Sequence, residues 1–257
     1  MEDSSLNERT LYLDLLEKVL LDTIYGSHVA KSQHWNAERA GHAATESEVN
    51  QGQYWPERAH TMIGRLRLRN FREAIEISLR EDIQGDILEA GVWRGGASIY
   101  ARGVLKAHGI HSKKVFVADS FEGLPKPDAK YPADDGDAHW NVDFLQVPIA
   151  EVRRNFKAYD LLDEQVVFVE GFFADSLPMA PIDSLCVLRL DGDMYSSTLQ
   201  VLDNLYHKVS PGGFVIVDDY HALANCRAAI DDFRTTHGIA AALHPVDWTG
   251  VYWRTAG

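Results

Sequence analysis

Apolar positions recur along this chain with two different periods. Over residues 11–26, LYLDLLEKVLLDTIYG, Leu13, Leu16, Val19, Leu20 and Ile24 follow helical spacing and predict a helix. The spacing lapses over 27–55, a stretch that carries His28, His34, Trp35, His42 and Trp55 and reads as a long loop. Helical spacing returns over 61–81, TMIGRLRLRNFREAIEISLRE. From residue 85 onward, short apolar runs alternate with helical stretches. Strands are predicted at 85–91 (GDILEAG), 114–120 (KVFVADS), 165–171 (QVVFVEG), 183–191 (DSLCVLRLD) and 213–219 (GFVIVDD). Helices are predicted after the glycine turn VWRGG and in AEVRRNFKAYDL, SSTLQVLDNLYHKV and ANCRAAIDDFRTTHGI. PGG at 211–213 reads as a stop, and AALHPVD and GVYWRTA as two closing strands separated by a turn.

Strands that alternate with helices require a mostly parallel sheet with helices on both faces, the α/β class. The closing strand–turn–strand predicts an antiparallel addition at one side. No internal repeat is visible, and 257 residues suit a single domain. Its expected parts are an N-terminal helical and lid region, 1–81, and a Rossmann-like core, 82–257. Residues 122–147 are rich in Pro, Asp and Gly and show no period. Like 27–55, this stretch exceeds an ordinary connection, which marks both as candidate lids.

Composition narrows the partners. The net charge of −13 opposes a phosphate backbone, so nucleic acid is excluded. No apolar run approaches the ~18 residues of a membrane span. The acidic start, MEDSSLNERT, is unlike a secretory leader, and a cytoplasmic protein is expected. Cys186 and Cys226 lack metal-ligand spacing and read as reduced core thiols.

In a doubly wound sheet, ligands bind beyond the carboxyl ends of the strands. Those ends carry Glu89 and Gly91, Asp119 and Ser120, Glu170 and Gly171, Asp191 and Asp193, and Asp218 and Asp219. One such carboxylate is as easily a helix cap as a site residue; a carboxylate at five consecutive strand ends is a pattern. The turn EAGVWRGGAS lacks the dinucleotide spacing G-x-G-x-x-G. Glu89 can accept from an ammonium or hydroxyl group, and Asp119 from ribose hydroxyls. An acidic loop without a phosphate-binding lysine suits a cationic nucleoside such as S-adenosylmethionine. A nicotinamide dinucleotide stays open on these residues alone.

AHTMIG (59–64), GVWRGGA (91–97), ADSFEGLP (118–125), RNFKAYDLLDEQV (154–166), LDGDMY (190–195), GGFVIVDDY (212–220) and GVYWR (250–254) resemble, in order, the macrocin O-methyltransferase family. These are sugar O-methyltransferases of macrolide and aminocoumarin biosynthesis. The resemblance implies a class I methyltransferase fold with a seven-stranded sheet. It implies dependence on S-adenosylmethionine and Mg2+, and a hydroxyl on a deoxysugar of a natural product as acceptor. It places metal ligands on Asp191, Asp218 and Asp219, and the general base on Asp193. Cofactor contacts fall on Thr61, Met62, Glu89, Gly91, Gly95, Ala97, Ser98, Asp119, Ser120, Gly171, Phe172 and Asp191. The chain departs from the family at 171–176, where GFFADS replaces the frequent GWFKDT.

A sugar hydroxyl is a weak nucleophile, and a divalent cation would both acidify and orient it. Three carboxylates from two strand ends are hard oxygen donors of the kind magnesium takes. Asp193 is then free to accept the proton, with His221 as the competing base, since an imidazole titrates near neutrality. Without the resemblance, Asp193 reads as a helix cap and His221 as an exposed helix-start residue. Tyr54, Trp55, His139 and Trp140 are the substrate-packing candidates. The resemblance implies a small-molecule glycoside as partner, and no membrane is expected; the apolar face of the first helix and the resemblance imply a homo-oligomer, a dimer or tetramer. The alternatives are a catechol-type O-methyltransferase acting on an aromatic diol, a nicotinamide oxidoreductase, and a non-catalytic nucleoside-binding protein.

Overall fold

The structure is a computed structural model that describes residues 2–25 and 41–256. His28, His34 and Trp35 lie outside the described residues. Helix α1, Glu2–Leu20, ends six residues before its predicted limit. Asp22 there adopts a left-handed conformation (φ 53), and the Thr23 N–H reaches back to the Lys18 carbonyl at 2.9 Å, a left-handed cap. The predicted loop holds a short helix, α2, Glu46–Gln51, nucleated by a capping box. Thr45 accepts the Glu48 N–H, and Glu48 accepts the Thr45 N–H. That signal, Thr-x-x-Glu, was present in the sequence.

Helix α3, Arg65–Arg80, starts four residues later than its spacing predicts. Its first residue follows Gly64, whose backbone lies against that of Gly52 at the end of α2. A Cβ on Gly64 would lie 2.1 Å from the Gly52 nitrogen. Close backbone contact of this kind ties α2 to α3.

The core then follows the predicted alternation. It runs β1 (Asp86–Ala90), α4 (Gly96–Ala107), β2 (Val115–Asp119), α5 (Ile149–Ala158), β3 (Val166–Glu170), α6 (Phe173–Ser176), β4 (Leu185–Leu190), α7 (Tyr195–Leu205), β5 (Val209–Val217) and α8 (Ala224–Thr236). Two antiparallel strands close it, β6 (His244–Pro245) and β7 (Val251–Arg254). The seven strands are ordered β3-β2-β1-β4-β5-β7-β6, the first five mutually parallel. PGG at 211–213 does not stop the chain: it lies inside β5, where the pairing with β4 shifts register between Leu185↔Val209 and Val187↔Phe214. The extra residues bulge out, which is how proline is accommodated there.

Alternate strand residues face two apolar layers. Ile87, Val115, Val117, Val187 and Ile216 pack beneath α1, α3, α4 and α5, whereas Leu88, Phe116, Leu188 and Val215 pack with α7 and α8 on the other face. Burial on both faces is the condition that parallel strands need. Residues 120–148 form a cover over the strand ends, with three short 3₁₀ turns at Pro132–Asp134, His139–Asn141 and Asp143–Leu145. Among the described residues, no helix is long and apolar enough to cross a membrane, and Leu11 and Leu15 of α1 are exposed. Both cysteines are free and buried.

Candidate active site

Strand order reverses between β1 and β4, and the chain ends there meet closely. The Asp191 N–H bonds the Ala90 carbonyl at 2.8 Å. A Cβ on Gly91 (φ 85) would sit 1.7 Å from the Asp191 carbonyl oxygen. Only glycine admits this approach. A cavity of about 770 Å³ opens above the switch point, lined at its floor by Gly91, Asp119, Asp191, Asp193, Asp218 and Asp219.

Three of these acids converge. One oxygen each of Asp191, Asp193 and Asp219 lies within 4.8 Å of the others. The buried Asp219 Oδ2 has no hydrogen-bond partner. Burial, reinforced by the neighbouring Asp218 charge, raises the Asp191 carboxyl to about 8. Burial likewise raises Asp193, against the opposing pull of His139, and raises Asp219 well above the usual carboxylate range with help from Asp193 and Asp218. Like charges crowded out of water disfavour full ionisation, and a cation would relieve them.

Asp218 is held differently from the expected third ligand. Its Oδ1 accepts from Arg189 and its Oδ2 from Arg67. Arg189 also donates to Glu89 at 2.8 Å and Asp191 at 3.0 Å, and Arg67 to Asp247 at 2.9 Å. Both arginines are buried, and alternating charge along Glu89–Arg189–Asp218–Arg67–Asp247 fixes the ends of β1, β4 and β5. Neither arginine was singled out from the sequence. The available signal was a charge inside the apolar run LCVLRL, which a buried strand admits only when it is paired.

The expected cofactor contacts divide into two groups. Met62, Gly91, Asp119, Ser120, Phe172 and Asp191 line the cavity. Thr61, Glu89, Gly95, Ala97, Ser98 and Gly171 are not among its lining residues. Glu89 is buried, and its carboxylate is occupied by Ser98 and Arg189; burial raises it to about 7. It supports the turn from below rather than offering an acceptor to a ligand. Thr61 is buried against Gly96, and Ala97 and Ser98 are buried in the first turn of α4. Asp119 accepts the Val92 and Phe121 N–H groups, both at 2.8 Å, so it also stiffens the turn that it faces.

His221 does not reach the cavity. Its side chain is exposed and packs edge-on against Tyr220, while its N–H bonds Thr249 at 3.0 Å. Among the described residues, the histidine that lines the cavity is His139, delivered by the cover. Its Nδ1 faces both Asp137 oxygens, at 3.0 and 3.1 Å, and this hydrogen bond raises its affinity for a proton against the effect of burial. Tyr54 and Trp55 line the cavity as expected, joined by Trp93 and Trp248; Trp140 lies outside it beneath Lys126. Trp55 stacks on Phe144, whose carbonyl accepts from Trp93 Nε1 at 2.8 Å.

A family model described as Macrocin-O-methyltransferase (TylF) matches residues 9–255. Demethyldecarbamoylnovobiocin O-methyltransferase of Streptomyces niveus is 47% identical over 96% of this chain and 94% of its own length. The 8-demethyl-8-(2,3-dimethoxy-alpha-L-rhamnosyl)-tetracenomycin-C 4'-O-methyltransferase of Streptomyces olivaceus is 46% identical over 96% of this chain and 93% of its own. The solved structure of the O-methyltransferase NovP superimposes with a TM-score of 0.90 at 47% identity, covering 97% of this chain and all of that one.

Proposed function

The chain belongs to the macrocin O-methyltransferase family, and we propose that it methylates a sugar hydroxyl of a glycosylated natural product in antibiotic biosynthesis, using S-adenosylmethionine and Mg2+. The observation that carries this reading is the carboxylate cluster of two adjacent strand ends on the floor of a large, aromatic-walled cavity. The substrate class follows the two relatives, one named for a novobiocin precursor and one for a rhamnosyl-tetracenomycin.

The donor set fits magnesium: carboxylate oxygens only, with one buried oxygen of Asp219 unpartnered. Asp191 and Asp219 would hold the ion, which when bound lowers the pKa of a hydroxyl and orients it. Asp193 accepts the hydroxyl proton as the sugar oxygen bonds to the methyl carbon. S-adenosylmethionine, when bound, would supply the methyl group from its sulfonium, with the carbon–sulfur bonding pair left on the sulfur of the departing thioether. Asp193 lies within 4.8 Å of both candidate ligands, close enough to meet a hydroxyl oriented there. Asp218, bound by Arg67 and Arg189, keeps the two strand ends in register for the others. Gly91, Asp119, Ser120 and Phe172 form the cofactor end, and Tyr54, Trp55 and Trp248 pack on the glycoside. The exposed apolar face of α1 supports self-association, which light scattering measures directly.

The test is mass spectrometry of reactions containing S-adenosylmethionine, Mg2+ and demethyldecarbamoylnovobiocin as probe glycoside. Gain of one methyl group, abolished by EDTA and restored by Mg2+, is the expected result. Undiminished transfer in EDTA rejects the metal. Faster turnover of catechol than of any glycoside favours an aromatic-diol methyltransferase instead.

A further inference from the structure

Helix α7 begins two residues after Asp193 and carries no side-chain cap of its own. Met194 occupies the cap position with extended backbone (φ −78, ψ 156) and makes no side-chain hydrogen bond there. The first amides of a helix need acceptors. Here they are supplied from the cover, about sixty residues upstream. Asp134 Oδ1 accepts the Tyr195 N–H at 2.7 Å, and Oδ2 accepts the Ser196 N–H at 2.9 Å. Asn225, in the first turn of α8, donates to Asp134 Oδ1 and to Asp137 Oδ2, each at 3.2 Å. Asp134 is 1% exposed and does not line the cavity, so it acts on nothing bound there directly.

Just before this turn the backbone is strained. Asp193 is a non-glycine residue with φ 57, in the left-handed region. Such a conformation persists only where its surroundings over-determine it. On the N-terminal side, Asp191 is fixed by its N–H bond to Ala90. On the C-terminal side, the Met194 N–H turns back to the Gly192 carbonyl at 2.6 Å, and the next two amides belong to Asp134.

We propose that Asp134 is a positioning residue for Asp193: by capping the first turn of α7 with both carboxylate oxygens, the cover fixes the strained residue that carries the candidate base. This rests on the reading of Asp193 given above. It makes the cover part of the catalytic support as well as a wall of the cavity.

The experiment compares wild type with Asp134→Ala and Asp134→Asn in the full chain. Asparagine keeps one acceptor but sets an amide donor against the second N–H. Amide hydrogen exchange is read at Met194, Tyr195 and Ser196, and kcat and KM are measured with S-adenosylmethionine and demethyldecarbamoylnovobiocin. Expected for Asp134→Ala is exchange faster by about tenfold or more at all three amides. Its kcat falls by about tenfold, while KM for S-adenosylmethionine stays within about twofold. Asp134→Asn lies between in both readouts, which keeps the test decisive if the alanine variant fails to fold. Faster exchange confined to Tyr195 and Ser196, or an unchanged kcat despite faster exchange at Met194, overturns the proposal and leaves a simple staple. A wild type that transfers no methyl group to this probe counts against the functional reading; exchange at Met194 then decides the role of Asp134 by itself.

Discussion

Arg189 Nη1 donates to Asp191 Oδ2 at 3.0 Å, so the carboxylate that ends β4 is held by a cation two residues earlier on the same strand. Arg189 is wholly buried and also faces Glu89 and Asp218. Removing one member of a buried ion network leaves the others uncompensated. Arg189→Met is expected to destabilise the fold by about 3–5 kcal/mol, with a smaller loss for Arg189→Lys. Urea unfolding measures both, and a Met variant as stable as wild type contradicts the account.

Gly91 and Gly109 separate backbone freedom from space. Both have positive φ, 85 and 65, but a Cβ on Gly109 meets nothing within 4 Å, while one on Gly91 collides with the Asp191 carbonyl. Gly109→Ala should lower the thermal midpoint slightly. Gly91→Ala should lower it much further and abolish methyl transfer, because β1 and β4 must part. Equal shifts in the two melting curves would show that the close approach is unimportant.

Stability of the metal-free protein should fall as pH rises. Glu89 is raised to about 7 and Asp191 to about 8, both chiefly by burial. The folded chain therefore binds more protons than the unfolded chain above the ordinary carboxylate range. That stabilisation is complete only below the ordinary carboxylate range and is lost progressively as pH climbs from there to these two values. The raised His139 acts in the same direction, whereas the lowered His60 opposes it up to the ordinary imidazole value near 6.5. The lowered carboxyls of Glu76, Asp137 and Asp163 have the opposite sign, but titrate below this window. Melting curves in EDTA from about pH 6 to about pH 8.5 should show a falling midpoint, flatter in Glu89→Gln. A midpoint that rises with pH reverses the assignment.

Asp193 and His221 were competing bases in the sequence, and the structure separates them. His221 is exposed and outside the cavity, so His221→Ala should keep kcat within about threefold. Asp193→Asn should lose about 10²–10⁴-fold, the range of general base catalysis. Initial rates with the probe glycoside distinguish them, and the opposite ranking would restore His221.

Much of the fold was legible because its signals are local. The apolar runs of β1, β2 and β4, and the helical spacing of α3 and α4, placed those elements to within a few residues. Local signals failed where a contact was distant. Helix α2 was read as loop even though Thr45 and Glu48 form a capping box, because it has only one buried apolar residue, Val49. PGG was read as a stop because its bulge depends on pairing with β4, not on its own residues. Asp191, Asp193 and Asp219 were legible as site acids because strand alternation fixes where a strand ends and which edge of the sheet that end faces.

The sequence by itself determined the order of strands and helices, the acidic edge of the sheet and the glycine at the switch point, since each is written in a short run of neighbours. Only the tertiary structure decided which acid meets which partner. Asp218 binds Arg67, 151 positions away; His139 enters the cavity while His221 turns from it; and Asp134 caps a helix from the cover. Partner choice among buried charges depends on which groups packing brings together out of water, and there is no period in the sequence that records it.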